Sequence, residues 1–210
     1  MNSDYRITIG DMRELGRSIG DSTIDAIYTD PPYTDVSAYR ALAALARRVL
    51  KPGGWCLAYC GIVWLPDVLR VMAEHLEYGW IFAVQHTGGD LRFRKYRLYN
   101  GWKPIVGFYK PPLDVWWPWF KDTASGGREK GLHPWQQAVG EALHFLQTFC
   151  PPQGVVLDPF CGSGTTLVAA RRLGLRVVGI ERDAKTAEVA MARLEAEGPA
   201  QAEAPKGGAL

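Results

Sequence analysis

Two short stretches of this chain carry residue types that can do chemistry. The first runs from Leu157 to Thr166, Leu-Asp-Pro-Phe-Cys-Gly-Ser-Gly-Thr-Thr. Gly162 and Gly164 let backbone approach a ligand closely, and the free N–H groups at the start of a following helix favour an anion. Glu181 stands about 20 positions beyond the glycines, where an acid can grip ribose hydroxyls. A glycine pair before a helix is also compatible with a plain tight turn. The dinucleotide fingerprint is incomplete, because Leu167 stands three residues after Gly164 where a third glycine is needed. The phosphate-loop lysine is missing too, since Thr165 follows Gly164 directly. The stretch reads as a cradle for a nucleoside-like ligand and points away from dinucleotides and nucleoside triphosphates.

The second stretch is Asp30-Pro31-Pro32-Tyr33. It suits the task of holding a planar amine that must become a nucleophile. The lone pair of an exocyclic amine is delocalised into its ring. A carboxylate and a backbone carbonyl, Asp30 and Pro31, that accept the two N–H bonds favour a more tetrahedral nitrogen. The prolines make the carbonyl direction rigid, which is electrostatic preorganisation. Tyr33 offers a ring on which a base can stack. The bland alternative is a Pro-Pro turn that merely ends a strand.

The elements that must position these loops follow from periodicity. Val155–Leu157 reads as a short buried strand and Thr165–Leu173 as a helix closed by Gly174. Arg176–Ile180 is a second strand and Asp183–Glu197 a last helix. Ile24–Thr29 is a strand that runs into the two prolines, which cannot continue it, so Asp30 and Tyr33 lie in a loop at its carboxyl end. Tyr5–Ile9, Trp55–Tyr59, Trp80–Gln85 and Ile105–Tyr109 are further strands. Met12–Ile19, Ser37–Leu50, Leu65–His75 and His133–Phe149 are helices. Strands that alternate with helices imply a doubly wound, parallel α/β sheet with both faces covered. Ligands of such sheets bind at strand carboxyl ends, at the switch point in strand order. Asp30 and Asp158 are more than 120 residues apart, yet their loops face one crevice if their strands are neighbours.

Composition narrows the classes. At 210 residues the chain fits one domain, expected over 1–197, with 198–210 an alanine-, proline- and glycine-rich disordered tail. A net charge of +2 is too small to diagnose a nucleic-acid partner, so any such argument must come from charge placement. Cys56, Cys60, Cys150 and Cys161 lack zinc-ribbon spacing, and reduced thiols are expected. His75, His86 and His144 have no metal-like spacing either; no metal is expected. The N-terminus has no apolar signal region, and Trp55–Leu65 falls far short of the ~20 residues that span a bilayer. A soluble, cytoplasmic protein is the expectation.

Taken together the two motifs are far more specific than either alone. Asp30-Pro31-Pro32-Tyr33 and Asp158-Pro159-Phe160-Cys161-Gly162-Ser163-Gly164-Thr165-Thr166 resemble the catalytic and cofactor motifs of the DNA amino-methyltransferases, which methylate adenine N6 or cytosine N4 with S-adenosylmethionine. The catalytic motif comes first, as in their circularly permuted beta class. Gly10-Asp11, Ile24-Asp25-Ala26-Ile27, Leu50-Lys51-Pro52-Gly53-Gly54, Lys103-Pro104-Ile105-Val106 and His133-Pro134 extend the likeness from about Tyr5 to Leu194. The resemblance implies a circularly permuted Rossmann-like fold, a seven-stranded mostly parallel sheet with an antiparallel hairpin at one edge, Ile105–Tyr109 being the reversed strand. It also implies roles. Asp158, Gly162, Gly164 and Thr165 would wrap the methionine part of the cofactor, with Phe160, Ser163 and His133 also among its contacts. Glu181 would hold the ribose and Asp11 the adenine amino group. Asp30, Pro31, Pro32 and Tyr33 would form the catalytic loop. Two departures stand out: Trp135-Gln136-Gln137-Ala138 replaces the family's polar pair and Lys-Pro, and only about Pro111–Leu132 is left for target recognition.

Arg92-Phe93-Arg94-Lys95-Tyr96-Arg97, followed by Tyr99, Trp102 and Lys103, interleaves cations with rings. Rings stack on unpaired bases while cations neutralise phosphate, so Arg92, Arg94, Lys95, Arg97 and Lys103 are the expected nucleic-acid contacts. Trp116, Trp117, Trp119 and Phe120 extend the pattern, or else form a small satellite core. The expected function is methyl transfer to a flipped DNA base, adenine N6 first. The rivals are cytosine N4, an RNA base, and a non-catalytic module that kept the fold. DNA is the expected partner, with a homodimer as a way to complete recognition.

Overall fold

The computed structural model describes residues 5–85, 91–113, 115–125 and 139–197. The chain opens with β1 (Tyr5–Ile9), a short helix α1 (Met12–Leu15) that tightens into a 3-10 turn, and β2 (Ile24–Thr29). All residues of β2 are buried, as expected for a strand covered on both faces. Next come α2 (Val36–Val49), β3 (Leu50–Tyr59), α3 (Leu65–Met72) and β4 (Glu77–Gln85). Asp35 caps α2 by accepting the Ala38 N–H at 3.2 Å. The basic stretch forms a small hairpin, β5 (Leu91–Phe93) and β6 (Leu98–Asn100), before β7 (Trp102–Tyr109) and β8 (Thr123–Ser125). The closing part is α4 (Val139–Phe149), β9 (Val155–Asp158), α5 (Thr165–Arg172), β10 (Arg176–Glu181) and α6 (Ala184–Ala196).

One sheet has the order β1-β10-β9-β2-β3-β7-β4-β8. Its first five strands are parallel, and β7 runs antiparallel to both β3 and β4. The reversed strand is thus the one expected, and it lies between β3 and β4. The strand count is eight where seven were expected, because Thr123–Ser125 pair with the open edge of β4 at Ala83–Gln85. The basic region between β4 and β7 carries the hairpin β5–β6, which the periodicity did not show. Its strands of three residues are too short to show periodicity.

Buried residues of α4, α5 and α6 cover one face, around Tyr28, Tyr59, Phe82 and Ile105. Those of α1, α2 and α3 cover the other, around Ile27, Cys56, Ala58 and Val106. The sheet is doubly wound. Its lower end is pinned by Asp25, whose carboxylate accepts from Lys51 Nζ at 2.7 Å and from the Val155 N–H at 2.8 Å, tying β2 to β3 and β9. Trp117 and Phe120 pack edge-on against Phe149 in the core, so two of the four rings of the expected recognition segment are structural. Trp116 and Trp119 are exposed. Among the described residues no helix is long and apolar enough to cross a membrane, and no acid, histidine and cysteine cluster could hold a metal. The four cysteines are free and buried.

Candidate active site

The order reverses between β9 and β2: from β9 the chain winds outward through α5 to β10, and from β2 it winds the opposite way through α2 to β3. These two strands are parallel neighbours, with Ala26 opposite Val156 and Ile27 opposite Leu157. Their carboxyl ends are also joined by side chains, because the Thr29 hydroxyl donates to Asp158 Oδ1 at 2.7 Å. The two loops found in the sequence therefore open into one crevice at the switch point.

On the glycine side, Asp158 Oδ1 also accepts the Phe160 N–H at 3.1 Å, which folds the chain back at the strand end. Gly162 and Gly164 both take positive φ, 50° and 85°. They differ in surroundings. A Cβ on Gly162 would meet nothing within 4 Å, whereas one on Gly164 would come within 3.0 Å of Ala190 in α6. Gly162 faces open space, and Gly164 is the glycine that lets α6 pack. The Gly162 N–H donates to Glu181 Oε2 at 2.9 Å, and Glu181 Oε1 accepts the Asp183 N–H at 2.9 Å. This grip fixes the Glu181 carboxylate beside the glycine turn. The Gly10 N–H donates to the Glu181 carbonyl at 2.8 Å, which brings Asp11 to the same rim. There Asp11 caps α1 by accepting the Arg13 N–H at 2.7 Å. Arg193 of α6 donates to the Ser163 carbonyl at 2.6 Å and lies 3.3 Å and 3.5 Å from the Ser163 and Thr165 hydroxyls. Those two hydroxyls therefore brace the loop from α6.

On the other side, Asp30 and Tyr33 follow β2, with the Tyr33 hydroxyl hydrogen-bonded to the Asp30 carboxylate. Burial, and then the Asp30 charge, push the Tyr33 phenol far above its ordinary range, so it remains a donor. The Tyr33 ring lies against Gly61, where an added Cβ would meet it at 3.5 Å. Pro31 is buried, and the Pro32 carbonyl accepts the Asp35 N–H at 3.1 Å, which leads into α2.

Behind this loop lies a polar row the sequence did not announce. Tyr28 and Tyr59 share a hydrogen bond of 2.9 Å, and the Tyr59 hydroxyl donates to Glu141 Oε2 of α4. Glu141 is 7% exposed. Burial pushes its carboxyl up, against the Tyr59 hydrogen bond and the Lys103 charge. Lys103 Nζ lies 4.9 Å from the centre of the Tyr59 ring. Glu141 had one signal in the sequence, an acid within a turn of Val139, Ala142 and Phe145. Thr29 had none beyond its place before Asp30.

The remaining expected contacts divide. Arg92, Arg94, Lys95 and Arg97 are exposed on the β5–β6 hairpin, with Arg92 over the Tyr99 ring at 5.5 Å and Lys95 over Tyr96 at 5.1 Å. Lys103 departs from them: it is half-buried and turned to Tyr59. The reason is strand alternation, which puts Lys103 on the β7 face of Ile105 and under α4. His133, like Gln136-Gln137-Ala138, lies outside the described residues.

Comparison with known proteins bears on this geometry. Residues 94–192 match the family model described as DNA methylase. Type II methyltransferase M.ScaI of Streptomyces caespitosus is 40% identical over 92 residues, 42% of this chain and 30% of that protein. YubD of Escherichia coli (strain K12) is 29% identical over 204 residues, 84% of either chain. The match to M.ScaI thus spans under a third of that relative's length, while the match to YubD spans most of both. Among solved structures, TTHA0409 of Thermus thermophilus complexed with S-adenosyl-L-methionine superposes with a TM-score of 0.77 at 21% identity, covering 93% of this chain and 95% of that one. At that identity the likeness is one of fold.

Proposed function

We propose that the chain is a DNA methylase that moves a methyl group from S-adenosylmethionine to an exocyclic amine of a DNA base, adenine N6 before cytosine N4. The observation that carries this reading is the Thr29–Asp158 hydrogen bond between β2 and β9, which joins the Asp30 loop and the glycine turn into one crevice.

The residues present fit the cofactor. Gly162 borders open space that a side chain would occupy, Glu181 is held rigid by two backbone N–H groups, and Asp11 stands on the same rim. Glu181 would take ribose hydroxyls, Asp11 an adenine amino group, and Asp158 with the turn from Phe160 to Thr165 the amino-acid end. His133 is assigned to the same set. When bound, S-adenosylmethionine supplies an electrophilic methyl group on a sulfonium.

The work of the chain is to present the nucleophile. The Asp30 carboxylate and the Pro31 carbonyl accept the two N–H bonds of the target amine and favour its lone pair over delocalisation. Pro31 and Pro32 hold those acceptors before the amine arrives, so little reorganisation accompanies the reaction. Tyr33 steadies Asp30 through its hydroxyl and offers its ring to the base. Exposed Arg92, Arg94, Lys95 and Arg97 supply phosphate contacts, and Tyr96 and Tyr99 beside them offer stacking faces.

The test is to incubate the protein with S-adenosylmethionine and mixed DNA and RNA, digest, and identify the methylated nucleoside by mass spectrometry. N6-methyladenine in the DNA fraction is expected. Asp30→Ala should keep cofactor affinity and lower the transfer rate at least about 100-fold, the scale of one lost preorganised contact. Gly162→Val should abolish cofactor binding by calorimetry. Normal turnover by Asp30→Ala would reduce Asp30 to a strand terminator. A modified nucleoside found only in RNA would move the substrate class.

A further inference from the structure

Three adjacent strands place a row of polar side chains on the sheet face under α4. Tyr28 of β2, Tyr59 of β3 and Ile105 of β7 belong to one buried cluster, and Lys103 precedes Ile105 by two residues, hence on the same face. The row is knit together. Tyr28 and Tyr59 share a hydrogen bond of 2.9 Å, Tyr59 donates to Glu141, and Lys103 Nζ rests 4.9 Å from the Tyr59 ring centre. Tyr28 precedes Asp30 by two residues, so the row ends at the catalytic loop.

A half-buried ammonium between buried groups needs compensating charge, and a buried carboxylate needs the same. Lys103 has both carboxylates in its field: Asp30 and Glu141 each favour its charged form, while burial opposes it. Glu141 and Asp30 repel each other, which makes ionised Glu141 harder to keep. One cation thus serves two acids. A phosphate-binding lysine would instead extend to solvent, as Arg94 and Lys95 do.

We infer that Lys103 is a positioning residue for Asp30: anchored on Tyr59 and shared with Glu141, its ammonium keeps the Asp30 carboxylate ionised as an acceptor for the target amine. The inference rests on the reading of Asp30 as the group that holds that amine. Other titratable groups near this centre are Tyr28 of β2, Tyr33 of the loop, Tyr39 of α2, Tyr59 at the end of β3, Cys60 just beyond it, and Asp158 of β9. Among them only Asp158 joins Asp30 and Glu141 as a carboxylate, and among these described groups Lys103 carries the opposite charge.

The sign of two substitutions separates this role from a structural one. Carboxyl-carbon NMR on the protein without ligands follows the Asp30 titration directly, the signal assigned with Asp30→Asn. Lys103→Met should raise the Asp30 midpoint by about one unit or more, the scale of losing a close opposite charge. Glu141→Gln removes the competing carboxylate and should move it down. Lys103→Arg keeps the charge and should leave it near the wild-type position; if Lys103→Met does not fold, the sign of the Glu141→Gln shift carries the test. In turnover, Lys103→Met should lower kcat about tenfold or more at neutral pH with the loss shrinking as pH rises, KM for DNA little changed. An unmoved midpoint in Lys103→Met, or a shift of the same sign in Glu141→Gln, overturns the inference. So does a pure loss of DNA affinity with a shallower salt slope, which would return Lys103 to phosphate contact. If the wild type methylates no nucleic acid, the proposed function falls, while the NMR titration still decides whether Lys103 governs Asp30.

Discussion

Asp158 is a carboxylate that the fold keeps almost wholly from water, at 3% exposure. Burial pushes its carboxyl up to about 6, against hydrogen bonds from Thr166, Thr29 and the Phe160 N–H. Its folded value stands above the unfolded one, so its contribution to stability is full below about pH 4 and is lost as pH rises through about 6. By neutral pH the buried charge costs on the order of 2–3 kcal/mol, about 1.4 kcal/mol for each pH unit between its folded and unfolded values. Asp158→Asn keeps an oxygen for Thr29 and Phe160 and removes the charge. Urea unfolding should show the variant gaining about 2–3 kcal/mol on the wild type between pH 4 and pH 8. A difference that does not change with pH would assign the burden to another acid. The charge is retained at the mouth of the glycine turn, where a cationic ligand group would offset it.

At the scale of elements, β4 and β7 are shaped around one ring. Trp55 of β3 packs on Phe149 at 4.7 Å and on Tyr109 at 5.5 Å, and its edge covers two glycines of the neighbouring strands. A Cβ on Gly79 would lie 2.3 Å from that ring, and one on Gly107 3.0 Å from it. Gly79 also falls at the irregularity where the β4 register shifts between Tyr78 and Trp80. Trp55 is buried and has no room to turn aside. Gly79→Ala should therefore destabilise by roughly 1–3 kcal/mol, the cost of overpacking a close-packed core. Thermal unfolding of the variant checks this. Gly162→Ala, whose Cβ would meet open space, provides the contrast: its strain is confined to a positive φ.

For the whole molecule, a net charge of +2 conceals an uneven placement of cations. Arg92, Arg94, Lys95 and Arg97 project together from the β5–β6 hairpin, which belongs to a sheet of its own. Phosphate contacts of that kind carry affinity without sequence information. Replacing Arg94 and Lys95 by alanine should weaken binding to unrelated duplexes about equally, and reduce the slope of log affinity against log salt by on the order of one to two. Fluorescence anisotropy across a salt series measures both. A loss confined to one sequence would instead make these residues readers of base edges. The expected recognition segment contributes β8 and two core rings, while Leu113, Val115, Trp116 and Trp119 are exposed among its described residues.

The sequence by itself determined the alternation of strands and helices and the two loops. These are local properties: Pro31 and Pro32 must end β2, and Gly162 and Gly164 must turn before α5, whatever surrounds them. It also marked Ile105–Tyr109 as the strand to be reversed, through resemblance and not through pattern. Only the tertiary structure decided that β2 lies beside β9, since strand order is a long-range choice without a local signature. Thr29 and Asp158 meet across that pairing at 129 residues' separation. It also distinguished the two glycines, one open and one packed on Ala190, and it took Lys103 out of the basic stretch. Charge pattern alone groups Lys103 with Arg97. The alternation of β7 turns it inward, because a side chain's face is set by its strand's partners and by the helix that covers them.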